Sequence, residues 1–575
     1  MWWYLDDLPR LKHEREAIDA LVDEGIGVEN VRWRPGPNAA IRVEADLRVG
    51  DEVRSVALTY PMIFPNATPT VRPIGEHDIW SAHQYLASGE LCLEYRPDNW
   101  HPDYTGAHML RSALTLMAAD VGATHQTAWD LPSAHVVTPS REIRGKWSRL
   151  VLTADAQHRL SQLKEAREIR LRRGWAPGTF MMTLVSISEP DGAVWSDFSL
   201  PTDFIESALF NGTAVPVAAD DSRLELIPIL LKADGDSQIL WNLFAPAVAD
   251  DGENRCLLLV VESGVRAFVI RPEGKRPYEA AIVLPDPGVR LPPSNAALAH
   301  KKIAILGCGS LGSKVATSLA RSGARKFILI DDDVLKFENL VRNDLDGTFV
   351  GAHKADVLSE RLKRVAPAID VKVHLFMIGD QESGTRSDSI VRELAQADLI
   401  IDASGSHEAF NCAAGTAKLN EKAMFWAQVF AGGFGGLIAR SRPKLDPNPF
   451  DAREMIAQWC ANPEFPDPPK AAKDYAAQTA DGVPMVADDA DVSVIASNLT
   501  RMIIDTAIGA DPSEFAYSAY MIGLRKEWIF KEPFDTWPIN LGPELTAAAA
   551  SANPGEMATA MTMLIDVLKE PAADD

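Results

Sequence analysis

The chain has 575 residues, 46% of them hydrophobic and 24% charged, and its 57 basic and 80 acidic side chains give a formal net charge of −23. This length exceeds the roughly 250 to 300 residues at which one hydrophobic core stops growing, so about two to four domains are expected. The acidic balance repels polyphosphate and argues against nucleic acid as a main partner.

Apolar runs and cysteine spacing indicate the compartment. No apolar run reaches the ~18 to 20 residues that span a bilayer, and the first residues lack the order of a signal peptide. The cysteines at positions 92, 256, 308, 412 and 460 form no C-x-x-C pair, which argues against a disulfide framework and a tetracysteine zinc site. We therefore expect a cytoplasmic protein with free thiols and no membrane partner.

The first predicted domain, residues 1–145, is of the α+β class. A helical opening is followed by "AIRVEADLRV" and "VRSVALTY", whose alternation predicts strands, and by the Pro-rich "YPMIFPNATPTVRP", which predicts an extended loop. The stretch "SGELCLEYRPDNWHP" then contains Cys92, and "HMLRSALTLMAADV" predicts a helix after it.

The second predicted domain, residues 146–290, is of the mixed α/β class. Its charged opening, residues 154–174, predicts a helix with a basic, solvated face in "KEAREIRLRR". The runs "TFMMTLVSIS", "LELIPILL", "CLLLVVES" and "RAFVIRP" predict strands. The region shows no catalytic constellation, and the Pro-rich segment 284–300 indicates a linker into the last domain.

The last predicted domain, residues 291–575, opens with "KKIAILGCGSLGSKVATSLARSG", an apolar strand and a periodic helix joined by G-x-G-x-x-G at Gly307, Gly309 and Gly312. Small residues let the backbone approach a phosphate at the positive end of a helix. The next strand ends at Asp331, where a carboxylate can accept hydrogen bonds from ribose hydroxyls. Both a dinucleotide and a mononucleotide satisfy this pattern.

Polar residues after this strand favour ATP over NAD. After the strand, the chain continues through "DDDVLKFENLVRN" to Asn339 and Arg342, and "GAHKADVLSERL" then supplies Lys354 at the start of a helix. The phosphates of a dinucleotide are held mainly by backbone amides, whereas a triphosphate brings negative charge that calls for Arg and Lys.

These segments, together with "LIIDASGS", resemble the ThiF-type adenylation domain of ubiquitin-activating enzymes and their bacterial relatives, over roughly residues 295–525. The resemblance implies a Rossmann-like domain that uses ATP and Mg²⁺ to adenylate a C-terminal glycine. It assigns nucleotide binding to Asp331 and Asp333, phosphate contacts to Asn339 and Arg342, and stabilisation of charge at the α-phosphate to Lys354. Arg342 and Lys354 would thereby act as electrostatic catalysts.

One position departs from the family pattern. The family has Asp-x-x-Asp-Asn at a strand end, with the second Asp helping to bind magnesium, but this chain has Gly405 and Ser406 there. Asp402 remains, either as a metal ligand or as a residue that caps the strand end. Unusual magnesium coordination is therefore expected.

The first domain resembles a ubiquitin-conjugating enzyme over roughly residues 10–140. Its Tyr-Pro is followed by further prolines, Gly89 precedes Cys92 by three residues, and Trp100-x-Pro102 lies eight residues after it. The resemblance implies that the Cys92 thiolate accepts an activated C terminus as a thioester and passes it to an amine. Trp100 is expected to be a packing anchor.

The upstream His-Pro-Asn of the conjugating family is absent. The corresponding stretch "AHQYLAS" places His83 and Gln84 nearby. Gln84 either donates the hydrogen bond that the family's Asn offers to the oxyanion or stabilises the loop.

A complete activating enzyme carries its own cysteine after the adenylation core. The Pro-rich segment at about 441–490 contains Cys460, which we favour over Cys412 as that nucleophile. The helix predicted by "ADDADVSVIASNLTRMIIDTAIG" closes the core or packs on a second subunit, and the bacterial relatives imply a homodimer through the adenylation domain.

The favoured hypothesis is a fusion of conjugating and activating modules that moves a C-terminal glycine from ATP to Cys460, to Cys92 and to a target lysine. Such fusions resemble those of antiphage operons with cyclic-oligonucleotide signalling, in which a nucleotidyltransferase related to cyclic GMP-AMP synthase is conjugated. Other operons supply a ubiquitin-like protein. The alternatives are a ThiF-type adenylyltransferase for sulfur transfer with a carrier-binding first domain, a non-catalytic binding protein, and a nicotinamide dehydrogenase.

Overall fold

The computed structural model divides into two compact units, residues 1–142 and 143–575. It describes residues 2–75, 83–85, 88–122, 143–207, 210–231, 235–245, 255–271, 275–285, 290–366, 368–376, 378, 384–467, 486–543, 558–559 and 561–565. Of the helices within these ranges, none has the length and apolar character that crossing a membrane requires.

The first unit packs helices on an antiparallel four-stranded sheet with the order β1-β2-β3-β4. Its elements are α1 (Trp3–Asp6), α2 (Leu8–Asp23), β1 (Val28–Pro35), β2 (Ile41–Val49), β3 (Glu52–Thr59), β4 (Thr70–Pro73) and α3 (Gly106–Gly122). Alternate residues of β2, Val43, Ala45 and Leu47, are buried against α2 and α3. The strands and the helix predicted from alternation and periodicity are confirmed.

Buried Glu14 ties the helices of this unit to its sheet. Its carboxylate accepts hydrogen bonds from the Tyr60 hydroxyl at 2.7 Å and from the Gly106 backbone N–H at 2.6 Å, and it pairs with Arg10 at 2.8 Å. Burial and the Glu14 charge raise the pKa of Tyr60 well above its usual value. A buried charge with this many partners fixes the entry of α3 beside α2.

The second unit begins with a closed barrel, because β5 pairs with both β12 and β7. The strands are β5 (Ser148–Val151), β6 (Arg167–Ala176), β7 (Thr179–Ser188), β8 (Val194–Ser196), β9 (Phe210–Pro216), β10 (Arg255–Val261), β11 (Gly264–Ile270) and β12 (Tyr278–Val283). The helices are α4 (Ala154–Ser161), α5 (Thr202–Glu206), α6 (Ile227–Leu230) and α7 (Ser237–Phe244). Inward residues and α4 form the barrel core, and α7 packs on a second apolar cluster.

Two predictions for this region are wrong. The expected helix over 154–174 ends as α4 at Ser161, and its basic half is strand β6, because Ile169 and Leu171 alternate into the core while arginines point outward. The expected strand in "LELIPILL" is a 3₁₀ turn followed by α6, since Pro228 suits a first helical turn and cannot donate to a sheet. The strands predicted in the other three runs are confirmed as β7, β10 and β11.

The rest of the unit is an eight-stranded sheet with the order β15-β14-β13-β16-β17-β18-β19-β20. The strands are β13 (Lys302–Leu306), β14 (Lys326–Ile330), β15 (Asp370–His374), β16 (Leu399–Asp402), β17 (Ala423–Val429), β18 (Gly435–Ser441), β19 (Ala519–Gly523) and β20 (Thr536–Ile539). The helices are α8 (Ser310–Arg321), α9 (Lys354–Val365), α10 (Gly384–Ala395), α11 (His407–Leu419), α12 (Pro449–Cys460) and α13 (Asp489–Ala507).

Helices cover both faces of this sheet. Strands β13 to β17 are parallel and β18 to β20 are antiparallel. Residues of α8, α9 and α13 form one core, and residues of α10, α11 and α12 form the other. Because both faces are covered, the central strands are continuous apolar runs, as predicted for "KIAIL".

A buried arginine connects the antiparallel strands to α13. Arg440 is fully buried in β18, and its guanidinium donates to the Asp505 carboxylate at 2.9 Å and to the Thr506 hydroxyl at 3.0 Å. It also donates to the Ser513 hydroxyl and to the Phe515 carbonyl. The network therefore satisfies a charge that would be costly to bury alone.

Replacement of Arg440 tests this network. Arg440→Met leaves the Asp505 carboxylate buried without its cation, so we expect the free energy of unfolding to fall by about 3–5 kcal/mol. The matched control, Lys444→Met, breaks an exposed pair with Glu421 and should cost at most about 1 kcal/mol. Urea unfolding of the full chain, followed by tryptophan fluorescence, measures both, and equal losses would contradict the assignment.

Candidate active site

A cleft opens in the C-terminal sheet at the point where the strand order reverses, between β13 and β16. Strands β13 and β16 are parallel neighbours, but β14 lies on the other side of β13 and β17 on the other side of β16. The connections leaving such a pair diverge to opposite faces, so a crevice forms at the carboxyl ends. The walls of the cleft include Gly307, Asp331, Asp333, Ser404 and Ser406.

Two glycines bring α8 close to the ends of these strands. Gly307 has a φ of 86°, and a Cβ there would lie 2.8 Å from the Ala403 carbonyl oxygen. A Cβ on Gly312 would lie 1.9 Å from the Gly307 carbonyl oxygen. Glycine is required at both positions because a side chain has no space.

Gly309 differs from the other two glycines. A Cβ at this position would meet no atom within 4 Å. Gly309 is also the N-cap residue of α8, and no side chain accepts a hydrogen bond from the first turn. The positive end of a twelve-residue helix therefore adjoins open space, an arrangement that suits an anion.

Asp331 is fixed beside this loop. One carboxylate oxygen accepts a hydrogen bond from the Cys308 backbone N–H at 2.6 Å, and the other accepts from the Asp333 N–H at 2.8 Å. Burial raises the pKa of Asp331 above its usual value. A carboxylate has about four acceptor positions, so two remain for hydroxyl donors in the cleft.

Lys354 is linked to the cleft wall by its contacts with Asp333. Its ammonium Nζ is 2.6 Å from Asp333 Oδ2, and its backbone N–H donates to the Asp333 carbonyl at 2.8 Å. Lys354 is 9% exposed and begins α9. The structure thus brings together the glycine-rich loop, Asp331, Asp333 and Lys354.

Asn339 and Arg342 each have a hydrogen-bond partner outside the cleft wall. Among the described residues, neither contributes to that wall. The Asn339 side-chain oxygen accepts a hydrogen bond from the Lys336 N–H at 3.0 Å and closes a 3₁₀ turn. Arg342 is buried, and its Nη1 is 3.4 Å from the Ala487 carbonyl oxygen, just before α13.

Sequence reasoning missed Asn343. Its Nδ2 donates to the Cys308 carbonyl at 3.2 Å, and its Oδ1 accepts from the Leu345 N–H at 3.2 Å. This buried side chain ties the segment containing Arg342 to the glycine-rich loop. The sequence "NLVRN" around Asn343 contains no pattern that would distinguish this residue from an ordinary loop asparagine.

Asp402 caps the end of β16. Its Oδ1 accepts from the Ser404 N–H at 3.1 Å and from the Ser404 hydroxyl at 2.6 Å. Burial raises the pKa of Asp402. Within the part of the chain that the structure describes, no three His, Cys, Asp or Glu side chains form a group that could hold a metal ion. The two hydrogen bonds from Ser404 show the capping role, which was one of the two roles that the sequence left open for Asp402.

Cys460 ends α12 and is half-buried. It packs against the same apolar core as Trp459, Phe465 and Trp537. Burial raises its pKa, and the negative end of a helix also disfavours a thiolate. Residues 468–485 of the Pro-rich segment that contains Cys460 lie outside the described residues. Burial likewise raises the pKa of Cys412, which is also half-buried.

The other two thiols are packing residues, as predicted. Cys308 and Cys256 are fully buried in apolar clusters. Burial raises the pKa of both thiols. Neither is accessible for acyl transfer in this conformation.

Cys92 is half-buried between the buried residues Leu91 and Leu93 of the first unit. Its backbone N–H donates to the His83 carbonyl at 2.7 Å. Gln84 Nε2 donates to the Gly89 carbonyl at 3.1 Å, so the loop-stabilising role considered for Gln84 is observed.

The structure confirms Trp100 as a packing anchor. Its indole N–H donates to the Pro65 carbonyl at 2.7 Å. Its ring lies 6.1 Å from the Phe64 ring and 5.7 Å from the Tyr104 ring. These contacts hold the loop after Cys92 against the core of the unit.

Two family descriptions match the chain. Residues 288–508 match the ThiF family. Residues 167–286 match a family described as "Domain observed between E2 and E1 domains". The chain is thus a mixed α/β multidomain protein that contains a ThiF adenylation domain and a domain of that intervening kind.

Three of the known proteins to which the chain is similar illustrate the range of its relatives. The chain is 40% identical over 106 residues to the ATP-dependent ubiquitin transferase-like protein Cap2 of Enterobacter hormaechei, covering 18% of this chain and 17% of the relative. It is 30% identical over 155 residues to the adenylyltransferase and sulfurtransferase MOCS3 of Sus scrofa, covering 27% and 33%. A crystal structure of Escherichia coli MccB with ATP aligns at 21% identity and a TM-score of 0.33, covering 44% of this chain and 68% of that one. The matches span only a sixth to a third of the curated relatives.

The glycine-rich loop generates a paired prediction. Gly312→Ala places a methyl group against the Gly307 carbonyl and should lower the free energy of unfolding by about 1–3 kcal/mol. Gly309→Ala enters open space at a φ of −72° and should lower the free energy of unfolding by at most about 1 kcal/mol, the cost of alanine at an N-cap. Urea unfolding of both full-length variants checks this, and a loss in Gly309→Ala as large as that in Gly312→Ala would contradict the geometry.

Proposed function

We propose that this protein activates the C-terminal glycine of another protein by adenylation and transfers it, through thioesters on two cysteines, to a lysine. The observation that carries this proposal is one cleft whose wall includes Gly307, Asp331 and Asp333. The open Gly309 position follows this wall in the glycine-rich loop, and the Lys354 ammonium is paired with Asp333. The match to the ThiF family supports it.

The residues of the cleft fit ATP as the nucleotide substrate. Asp331 has acceptor positions for ribose hydroxyls, and the uncapped end of α8 suits the phosphates. Lys354, paired with Asp333 of the cleft wall, supplies positive charge that a triphosphate requires and a dinucleotide does not, and Arg342 would add to it from outside the wall. Asn339 would contact a phosphate after its turn opens.

Adenylation requires no proton transfer. A carboxylate oxygen of the terminal glycine attacks the α-phosphorus, a new P–O bond forms, and the bond to the departing pyrophosphate breaks. Lys354 stabilises the charge that develops on the α-phosphate oxygens. Mg²⁺ in nucleotide sites is commonly bound by one or two carboxylates together with the substrate phosphates, and Asp402 would be the carboxylate that helps to hold it here.

Cys460 is the proposed first thiol. Its sulfur attacks the acyl carbon, and AMP leaves as the thioester forms. Arg453, on the same helix, hydrogen-bonds to His407 and lies over the Phe410 ring at 4.3 Å, so α12 packs against α11 beside the cleft. Cys460 is two turns, roughly 10 Å, further along this helix. Its burial requires local opening before it reacts.

Cys92 is the proposed second thiol. Its sulfur displaces that of Cys460 from the acyl group, and a lysine amine then displaces Cys92. We propose a cGAS-like nucleotidyltransferase or a ubiquitin-like protein as the conjugated substrate, bacterial antiviral defence as the setting, the cytoplasm as the compartment, and a homodimer through the adenylation domain. The partial match to Cap2 and the domain described between E2 and E1 domains support this assignment.

A second candidate is adenylation for sulfur transfer, with the first unit binding a carrier protein. The match to MOCS3 favours it. The sequence lacks the C-x-x-C pairs that the sulfur-transfer enzymes carry and retains the Cys92 and Trp100 pattern. A sulfide product that depends on a cysteine desulfurase would distinguish this candidate.

Mass spectrometry of the intact protein tests the order of transfer. The protein is incubated with ATP, Mg²⁺ and the products of its neighbouring genes. We expect Cys460→Ala to retain ATP–pyrophosphate exchange but to form no thioester, and Cys92→Ala to hold the acyl group on Cys460. Both results are expected because each thioester forms on the sulfur of one cysteine, whereas adenylation uses neither the Cys460 nor the Cys92 sulfur.

Cys412→Ala is the matched control, since Cys412 is also a half-buried thiol. It should load and transfer as the wild type does. A thioester in the Cys460→Ala protein would exclude Cys460 as the first thiol, and transfer that survives Cys92→Ala would exclude Cys92 as the second.

A further inference from the structure

A short antiparallel pairing holds the segment that contains Cys92. Gln84 forms a β-bridge with Leu91, and the Cys92 N–H donates to the His83 carbonyl at 2.7 Å. The Tyr85 N–H donates to the Glu90 carbonyl at 2.8 Å, and the Gly89 N–H returns a bond to the Tyr85 carbonyl at 2.7 Å. Residue 83 is therefore opposite 92, and residue 85 is opposite 90.

This register decides which side chains share a face with the thiol. Side chains alternate along each strand, so those of His83, Tyr85 and Cys92 lie on one face. Those of Gln84 and Leu91 lie on the other, where Leu91 is buried and Gln84 Nε2 is bonded to the Gly89 carbonyl. Gln84 therefore points away from the sulfur and already has an acceptor.

Tyr85 lies diagonally across from Cys92, a position from which a long aromatic side chain reaches its neighbour. Its hydroxyl and the Cys92 thiol share a side-chain hydrogen bond. Burial and this bond to Cys92 raise the pKa of Tyr85, so the phenol keeps its proton and remains a donor. Tyr85 is 48% exposed, which leaves the hydroxyl accessible to an acyl group on the sulfur.

We infer that the Tyr85 hydroxyl donates a hydrogen bond to the oxyanion that forms during acyl transfer from Cys92. The inference rests on the proposed thioester at Cys92. It assigns to Tyr85 the oxyanion hydrogen bond that the conjugating family's Asn, absent from this chain, would donate. The amine nitrogen attacks the thioester carbon, and the carbonyl electron pair moves to oxygen, next to the Tyr85 hydroxyl. The C–S bond then breaks, and the amine proton passes to the leaving thiolate.

A chemical probe tests this step without the adenylation reaction. The full-length protein is loaded by thiol exchange with a fluorescein-labelled peptide whose terminal glycine is a mercaptoethanesulfonate thioester. After desalting, free lysine is added, and peptide mapping by mass spectrometry follows the loss of the adduct from Cys92. We expect Tyr85→Phe to release the peptide about 10²-fold more slowly, because one oxyanion donor is lost.

Tyr95→Phe is the matched control, since it removes a tyrosine hydroxyl from the same unit, and it should release the peptide at the wild-type rate. An unchanged thermal unfolding midpoint in Tyr85→Phe separates a chemical effect from a folding defect. Release of the peptide from Tyr85→Phe at the wild-type rate would overturn the inference. Slow release from Gln84→Ala together with wild-type release from Tyr85→Phe would assign the hydrogen bond to Gln84 instead. A wild-type protein whose Cys92 takes up acyl groups from neither the probe nor the ATP reaction would instead contradict the proposed function.

Discussion

The contact between Gly307 and Gly312 is the constraint on which the candidate active site depends. It seats the first turn of α8 directly on the end of β13, and it brings the Cys308 N–H to Asp331 and the Cys308 carbonyl to Asn343. The turn that contains Arg342 and the strand end that holds Asp331 are thereby attached to one loop. A side chain on either glycine would separate these elements.

Two thiols lie in contrasting surroundings. Cys460 ends a helix and packs against an apolar core, where a thiolate is disfavoured, whereas Cys92 shares a hydrogen bond with a tyrosine hydroxyl. A thiol that reacts only after opening is protected until the adenylate is present. The proposed route therefore runs from the Cys460 thiol, whose pKa is raised by burial, to the Cys92 thiol beside Tyr85, and each step preserves an activated acyl group.

Local patterns predicted the parts of the fold that depend on local sequence. Strands β13 and β14, the glycine-rich loop and helix α13 were predicted correctly. Their apolar runs, glycine spacing and periodicity are patterns among residues that are close in the sequence. Strand β6 was not predicted, because its arginines are also typical of a charged helix. The alternation of buried and exposed side chains along β6 is favoured only once the barrel closes around its core. Asn343 and Tyr85 were missed since their roles arise from contacts with Cys308 and Cys92, which no spacing along the chain reveals.

Calorimetric titration of the full-length protein with Mg·ATP and with NAD tests the central claim most directly. The account predicts that ATP binds and NAD does not, and that Lys354→Met weakens ATP binding about tenfold through the loss of one charge-assisted contact. Lys363→Met, which removes the other lysine of α9, should leave the affinity unchanged. Binding of NAD without ATP, or equal effects of the two lysine variants, would contradict it.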